Sequence, residues 1–193
     1  MRIIAGTARH RVIKSVPDSL TRPTTDRIKE SLFNILNFRI PDSEILDLYS
    51  GTGNMGLEAI SRGAKSVVFV DLRKVSIDTI NENIQSLGFA SQSTVYMSEA
   101  DKALNLLIKN QKHFDIIFCD PPYNKGLEIP SMDLIQKGKL LKKEGVLIVR
   151  HHKKTELPDS LGIIKRYRQN KYGDAFVSFY QYMENENQEI NQE

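Results

Sequence analysis

From residue 45 onward, short apolar runs alternate with segments whose apolar residues recur at helical spacing. Five runs read as strands: EILDLY (44–49), SVVFVD (66–71), STVYM (93–97), FDIIFCD (114–120) and GVLIVRH (145–151). Helices are predicted between them, over 54–63, 73–87, 101–110 and 127–138. In the second of these, Val75, Ile77, Ile80, Ile84 and Leu87 form an apolar stripe and leave Asn81, Glu82 and Gln85 facing out. Such alternation builds βαβ units and a parallel sheet covered on both faces.

The pattern differs at the two ends. RPTTDRIKESLFNIL opens with a Thr/Asp capping signal, and Ile28, Leu32, Phe33, Ile35 and Leu36 follow at a helical period. GIIKRYRQNKYGDAFVSFYQYM alternates like two strands joined by a turn at Lys171 to Asp174. The first 16 residues, with apolar and basic positions around Gly6, read as a small basic strand or hairpin. The expected architecture is therefore α/β and Rossmann-like, with a mostly parallel seven-stranded sheet that ends in a C-terminal antiparallel hairpin. A small basic extension is expected over 1–23, the main domain over 24–183, and a disordered tail over 184–193, the acidic and polar stretch ENENQEINQE.

A chain of 193 residues fits one domain with a sizeable core. No run approaches the roughly 18 apolar residues that a membrane span needs, so no membrane partner is expected. The start, MRIIAGTARHR, lacks the apolar stretch and cleavage site of a secretory signal, which with the lone Cys119 points to a reducing cytoplasm. Charge changes the picture more. The net charge is only +3, but residues 1–39 hold eight Lys/Arg against three Asp/Glu, 40–136 hold eight against thirteen, and 137–172 hold eleven against three. Two basic blocks that flank an acidic middle suit a polyanion partner such as RNA or DNA.

The chemistry concentrates where strands end. DLYSGTGNMG (47–56) turns a strand into a helix and contains GxGxxG at Gly51, Gly53 and Gly56, while Asp71 closes the next strand, 18 residues past Gly53, as a ribose-binding acid should. A nicotinamide dinucleotide and S-adenosylmethionine both fit that pattern. Asp47 favours the second, because an acid four residues before the first glycine is awkward beside a pyrophosphate and suits an ammonium and a sulfonium. Asp120-Pro121-Pro122-Tyr123 follows the fourth strand and should face the same end. The Asp120 carboxylate and a carbonyl of the Pro-Pro backbone can each accept one hydrogen of a ring NH2 group, and Tyr123 can stack on the ring. Cys119, inside an apolar strand, reads as a core residue. His151 and His152 have no partner cysteines or HExxH spacing and read as structural or RNA-facing, so no metal is expected.

These residues resemble class I S-adenosylmethionine-dependent methyltransferases that act on exocyclic amino groups of nucleobases. MRIIAGTARHR, TRPTTDRIKESLFNIL, ILDLYSGTGNMGLEAISRGA, FDIIFCDPPY and the late KYGD are together similar to the RsmD family, the bacterial 16S rRNA guanine-N2 methyltransferases that modify the guanine numbered 966. The RPTTDR block is the specific part; DPPY and GTG are shared with DNA adenine methyltransferases. The resemblance implies S-adenosylmethionine as cofactor, with Asp47, Tyr49, Gly51 and Gly53 at its methionine end, Asp71 on the ribose hydroxyls and Leu72 on the adenine. Glu99, with Ala100, or else Asp101, would meet the adenine amino group, and Asp120 would touch cofactor as well as guanine. His10 departs from the family, which usually has glycine there.

The implied partner is 16S rRNA, in the small ribosomal subunit or an assembly intermediate, handled by a monomer. Arg2, Arg9, Arg11, Lys14, Arg22 and Arg27 on one side, and Lys165, Arg166, Arg168 and Lys171 on the other, could grip its phosphates. The competing readings are an amino-group methyltransferase acting on DNA or another RNA, at adenine N6, and a non-catalytic RNA-binding assembly factor.

Overall fold

The computed structural model describes residues 1–16 and 26–183. Arg22, the Thr24 and Thr25 capping positions, the 23/24 boundary and the acidic tail lie outside the described residues. The elements in chain order are α1 (Asp26–Leu36), β1 (Glu44–Leu48), α2 (Asn54–Ser61), β2 (Ser66–Asp71), α3 (Lys74–Leu87), β3 (Ser93–Met97), α4 (Ala100–Lys109), β4 (Phe114–Cys119), α5 (Glu128–Lys137), β5 (Leu141–His152), β6 (Ser160–Leu161), β7 (Ile164–Tyr172) and β8 (Ala175–Tyr182). All five expected strands and four helices are present, with ends displaced by one or two residues except at β5.

The sheet order is β3-β2-β1-β4-β5-β8-β7-β6. Its first five strands are parallel and β8 runs antiparallel to β5. The order reverses between β1 and β4, which opens a crevice at the carboxyl ends of those strands. The sheet has eight strands rather than seven. The extra one, β6, is two residues long and carries no pattern that a sequence could announce. β5 begins at Leu141, four residues earlier than its apolar run, because Leu141 pairs with Phe114 across a register shift and draws the polar LKKE into the strand.

Two apolar layers sandwich the sheet. Phe33, Ile45, Phe69, Ile80, Phe118 and Ile148 lie on the face covered by α1, α2 and α3, and Leu46, Leu104, Ile117, Met132, Leu147 and Tyr180 on the face of α4 and α5. This alternation along each strand is what lets continuous apolar runs feed both layers. In α3 the stripe holds except at Val75, which faces water. Asn83 takes an inner position instead: its side chain accepts from the N–H of Lys14 at 2.7 Å and donates to the carbonyl of Thr52 at 3.2 Å.

Residues 1–16 form a loop closed by one antiparallel bridge, Arg2 to Val12, rather than a regular hairpin. Ile3 and Ile13 are buried and join the core. A charged knot fixes the loop to α2. The N–H groups of Ile4 and Ala5 donate to the two oxygens of Glu58 at 2.8 and 3.0 Å, and Lys29 and Arg62 pair with the same carboxylate at 3.0 and 2.8 Å.

Candidate active site

Register assembles the site. In β1, Asp47 pairs with Phe69 of β2 and with Phe118 of β4. Side chains alternate between faces along a strand, so Asp71 and Asp120, two residues past those partners, project on the face of Asp47 and one step nearer the carboxyl ends. Three carboxyls thus converge at the switch point. Asp47 is buried, and its Oδ2 accepts the N–H of Gly56 at 3.0 Å. Burial pushes its pKa up to about 8, against the pull of the Gly56 bond, and the charges of Asp120 and Asp71 add to the push.

The loop that links β1 to α2 is bent by three left-handed residues, Tyr49 (φ 65°), Gly51 (φ 57°) and Gly53 (φ 74°). A side chain at Gly51 would meet open space, so its backbone borders the crevice directly. Its N–H donates to Asp71 Oδ2 at 2.9 Å, and Asp71 Oδ1 accepts from the N–H of Arg73 at 2.9 Å. Gly56 serves packing instead: a Cβ there would come within 2.3 Å of the Phe69 ring. Tyr49 bears its strain without glycine's freedom, and its hydroxyl meets Ser131 Oγ at 2.8 Å. Burial raises that hydroxyl to about 12, which removes it from acid–base work near neutrality.

Leu72 stands at the rim and is 62% exposed, an unusual place for a leucine that follows a buried strand. Beyond β3, Glu99 occupies the position before α4 without a side-chain capping bond and pairs with Lys102 at 3.0 Å, while Ala100 begins the helix and Asp101 lies in its first turn; both acids are exposed.

Past β4 the chain is held by the N–H of Asp120, which donates to the carbonyl of Leu48 at 3.4 Å. Pro121 is buried and Pro122 exposed. The ring of Tyr123 lies edge-on to His152, with centroids 5.5 Å apart, and 5.8 Å from the guanidinium carbon of Arg150. Arg150 also pairs with Asp120, Nη1 to Oδ2 at 2.7 Å. Its part in the site is absent from the motif reading, although a charge at an inward position of the apolar run GVLIVRH was a signal that could have found it. Burial raises the Asp120 pKa, and the guanidinium opposes that rise.

His151 and Cys119 turn out to be structural. His151 is buried, bonded to Ser178 Oγ at 3.0 Å and to the carbonyl of Thr155 at 2.9 Å, and burial lowers its pKa. Burial pushes the Cys119 thiol up, far from thiolate formation. Among the described residues no group of three or more His, Cys, Asp or Glu could hold a metal ion, and no helix is long and apolar enough to cross a membrane.

The basic side chains divide. Arg27 of α1 and Arg168 of β7 line one open groove of about 550 Å³, together with Glu30, Ser31, Asn34 and Ile35. On the other flank of the same helical face, Arg11 donates to the carbonyl of Ser86 and Lys14 pairs with Glu82 at 2.7 Å. Arg2 pairs with Asp26 at 3.4 Å, and Arg9 and Lys165 are exposed. Lys171 is exposed at the hairpin turn, opposite Phe176. Arg166 stands apart. It registers with Tyr180 of the α4–α5 face, across a bulge from Arg168, and pairs with Asp159.

The chain is similar to known methyltransferases. The profile of the family described as "Conserved hypothetical protein 95" matches residues 1–181. A putative rRNA methyltransferase, YlbH of Bacillus subtilis, is 35% identical over 93% of this chain and 98% of its own length. Ribosomal RNA small subunit methyltransferase D of Haemophilus influenzae is 35% identical over 86% of each chain. Among solved structures, the putative methyltransferase yhhF of Escherichia coli superposes with a TM-score of 0.83 at 32% identity, over 94% of this chain and 97% of that one.

Proposed function

The chain belongs to the conserved hypothetical protein 95 family, the RsmD-type S-adenosylmethionine-dependent methyltransferases, and from that premise we propose that it methylates the exocyclic N2 of a guanine in 16S rRNA, the guanine numbered 966. The observation that carries the reading is the convergence of Asp47, Asp71 and Asp120 on one face beside a proline-stiffened loop that ends in Tyr123. A carboxyl pushed up by burial, and further by two neighbouring acids, is a site that gains from a cation, and the open backbone at Gly51 leaves room for one. An ammonium and a sulfonium supply that charge, so these residues fit S-adenosylmethionine.

In this reading Asp47 and the Tyr49–Gly53 loop hold the methionine end, Asp71 the ribose hydroxyls, and exposed Leu72 the adenine face. Glu99 and Ala100 meet the adenine edge. The cofactor supplies an electrophilic methyl group on sulfur. The chain's own task is the guanine: its N2 lone pair is delocalised into the ring, and the nitrogen becomes a competent nucleophile only when its hydrogens are held out of conjugation. Asp120 and the Pro121 carbonyl accept those two hydrogens, the rigid prolines fix the geometry, and Tyr123 stacks on the base. Transfer would exchange the methyl's S–C bond for the new N–C bond, leaving a neutral thioether, and one hydrogen would leave N2 as a proton by way of the Asp120 carboxylate to water. N2 is hidden in a paired duplex, so the target guanine must be unpaired or turned out of its stack.

Basic residues supply the grip on rRNA phosphates, among them Arg27 and Arg168, which share one open groove. The substrate is the small ribosomal subunit or an assembly intermediate, met by a monomer in the cytoplasm. The test uses small subunits and naked rRNA from cells that lack the protein, incubated with labelled cofactor, and identifies the modified nucleoside by mass spectrometry. N2-methylguanine in the subunits is expected, and Asp120→Ala should abolish transfer while cofactor binding persists. Label in N6-methyladenine, or only in DNA, would sink the proposal.

A further inference from the structure

The parallel register between β4 and β5 reaches Cys119 opposite Val149, so the next residues, Asp120 and Arg150, stand side by side at the lip of the sheet. Arg150 is the better buried of the two, its side chain 11% exposed against 32% for Asp120. Its Nη1 holds Oδ2 of Asp120 at 2.7 Å, and the same guanidinium lies 5.8 Å from the Tyr123 ring, which in turn meets His152 edge-on. Oδ1 of Asp120 accepts no hydrogen bond among the described residues.

We infer that Arg150 is the positioning residue of this site: it keeps Asp120 ionised, turns Oδ1 toward the target amino group, and seats the Tyr123 ring beside it. The inference rests on the reading of Asp120 as the acceptor of amino hydrogens. A carboxylate accepts at both oxygens, whereas a carboxylic acid carries a hydrogen of its own and would set donor against donor. The surroundings favour the wrong form. Burial disfavours the charge on Asp120, and the neighbouring Asp47 carboxyl of β1, the Cys119 thiol and the Tyr123 hydroxyl supply no cation to offset it. Arg150, from β5, is the cation that opposes the burial. A guanidinium also suits the double duty, because its delocalised charge can hold Asp120 at one nitrogen and still lie beside the Tyr123 ring.

Arg150→Gln keeps a donor of similar reach and removes the charge; Arg150→Lys keeps the charge and removes the planar fork. The first measurement needs neither RNA nor cofactor: the Asp120 carboxyl is titrated by carbon NMR in aspartate-labelled full-length protein, assigned by its loss in Asp120→Asn. Arg150→Gln should raise the midpoint by about one unit or more, and Arg150→Lys should leave it within about half a unit of the parent. In methyl transfer to small subunits, Arg150→Gln should lower kcat by about 10–100-fold, move the acid limb of its pH profile upward and leave cofactor KM within about twofold. Arg150→Lys should recover part of kcat and restore the acid limb. An unmoved carboxyl midpoint, or equal loss of cofactor affinity and kcat in both variants, would overturn the inference. A shifted midpoint in a protein whose parent form methylates no guanine would support the pairing and overturn the function proposed above.

Discussion

Lys29 Nζ lies 3.0 Å from Glu58 Oε2, and neither side chain has any exposed surface. The ammonium also meets Asn54 Oδ1 at 2.8 Å and the carbonyl of Arg2 at 2.5 Å. One buried cation therefore ties α1, the start of α2 just past the glycine loop, and the N-terminal segment together.

Lys29 is one of two cations on the Glu58 carboxylate, and its loss leaves Arg62 and two backbone N–H groups to hold that charge. Lys29→Met should cost about 1–3 kcal/mol for the lost charged hydrogen bonds, read as a fall in unfolding free energy in urea. The double change Lys29→Met with Glu58→Gln should differ from the sum of the two single losses, because the two side chains share one network. A single-variant loss below about 1 kcal/mol would mean that water reaches the pair.

Asp47 is held against its own ionisation. Its pKa rises from 3.8 to about 8 on folding, so the unfolded chain gives up this proton first and the folded state loses stability as pH climbs between those values. Asp47→Asn keeps an acceptor for the Gly56 N–H and removes the penalty. Without ligand it should melt at the same temperature as the parent below about pH 4 and higher at about pH 8, where even about 2 kcal/mol corresponds to roughly 4–8 °C in a chain of this size. The same change should weaken cofactor binding by calorimetry, because the neutral amide keeps an acceptor but lacks the negative charge that pairs with a cation. Parent affinity should rise with pH up to about that of the Asp47 midpoint. A melting temperature unchanged at both pH values would show that Asp47 is solvated.

His10 occupies the left-handed region at φ 69°, where side chains are strained and where the family resemblance points to glycine. The backbone bonds around it, His10 N–H to the carbonyl of Ile3 at 2.9 Å and Ile3 N–H to that of Arg11 at 2.9 Å, hold the residue in place. His10→Gly relieves the strain but frees the unfolded chain, so a net gain of about 0.5–1 kcal/mol is expected by urea unfolding, with activity unchanged. A loss would show that the imidazole makes contacts worth more than the strain.

Arg27 and Arg168 share a groove although they are 141 residues apart in the chain, a separation read directly from their numbers. If both meet phosphate, each alanine change should weaken rRNA binding uniformly across sequences and lower the salt-dependence slope by about one. Arg166→Ala, on the opposite face and paired with Asp159, serves as the comparison and should leave the slope alone.

Much of this molecule was already legible along the chain. Apolar runs and helical stripes determined the order of strands and helices, because burying both faces of a parallel sheet demands continuous apolar strands and amphipathic covers. Asp47, the glycine loop, Asp71 and Asp120 to Tyr123 could be picked out as a candidate site because each stands where a strand ends, and in such a sheet the strand ends share one edge.

What the sequence could not supply was lateral pairing. Whether Asp47 lies between Asp71 and Asp120 depends on β1 sitting between β2 and β4, and that order is settled only when every strand finds a neighbour. Arg150 reads as one more residue of a strand until β5 docks beside β4 and sets its guanidinium against Asp120. Lys29 and Glu58 look like solvated helix charges until the N-terminal segment closes over them. The physical reason is common to all three: periodicity follows the covalent neighbours of a residue, whereas ionisation, burial and side-chain aim are set by groups that only packing brings within a few ångströms.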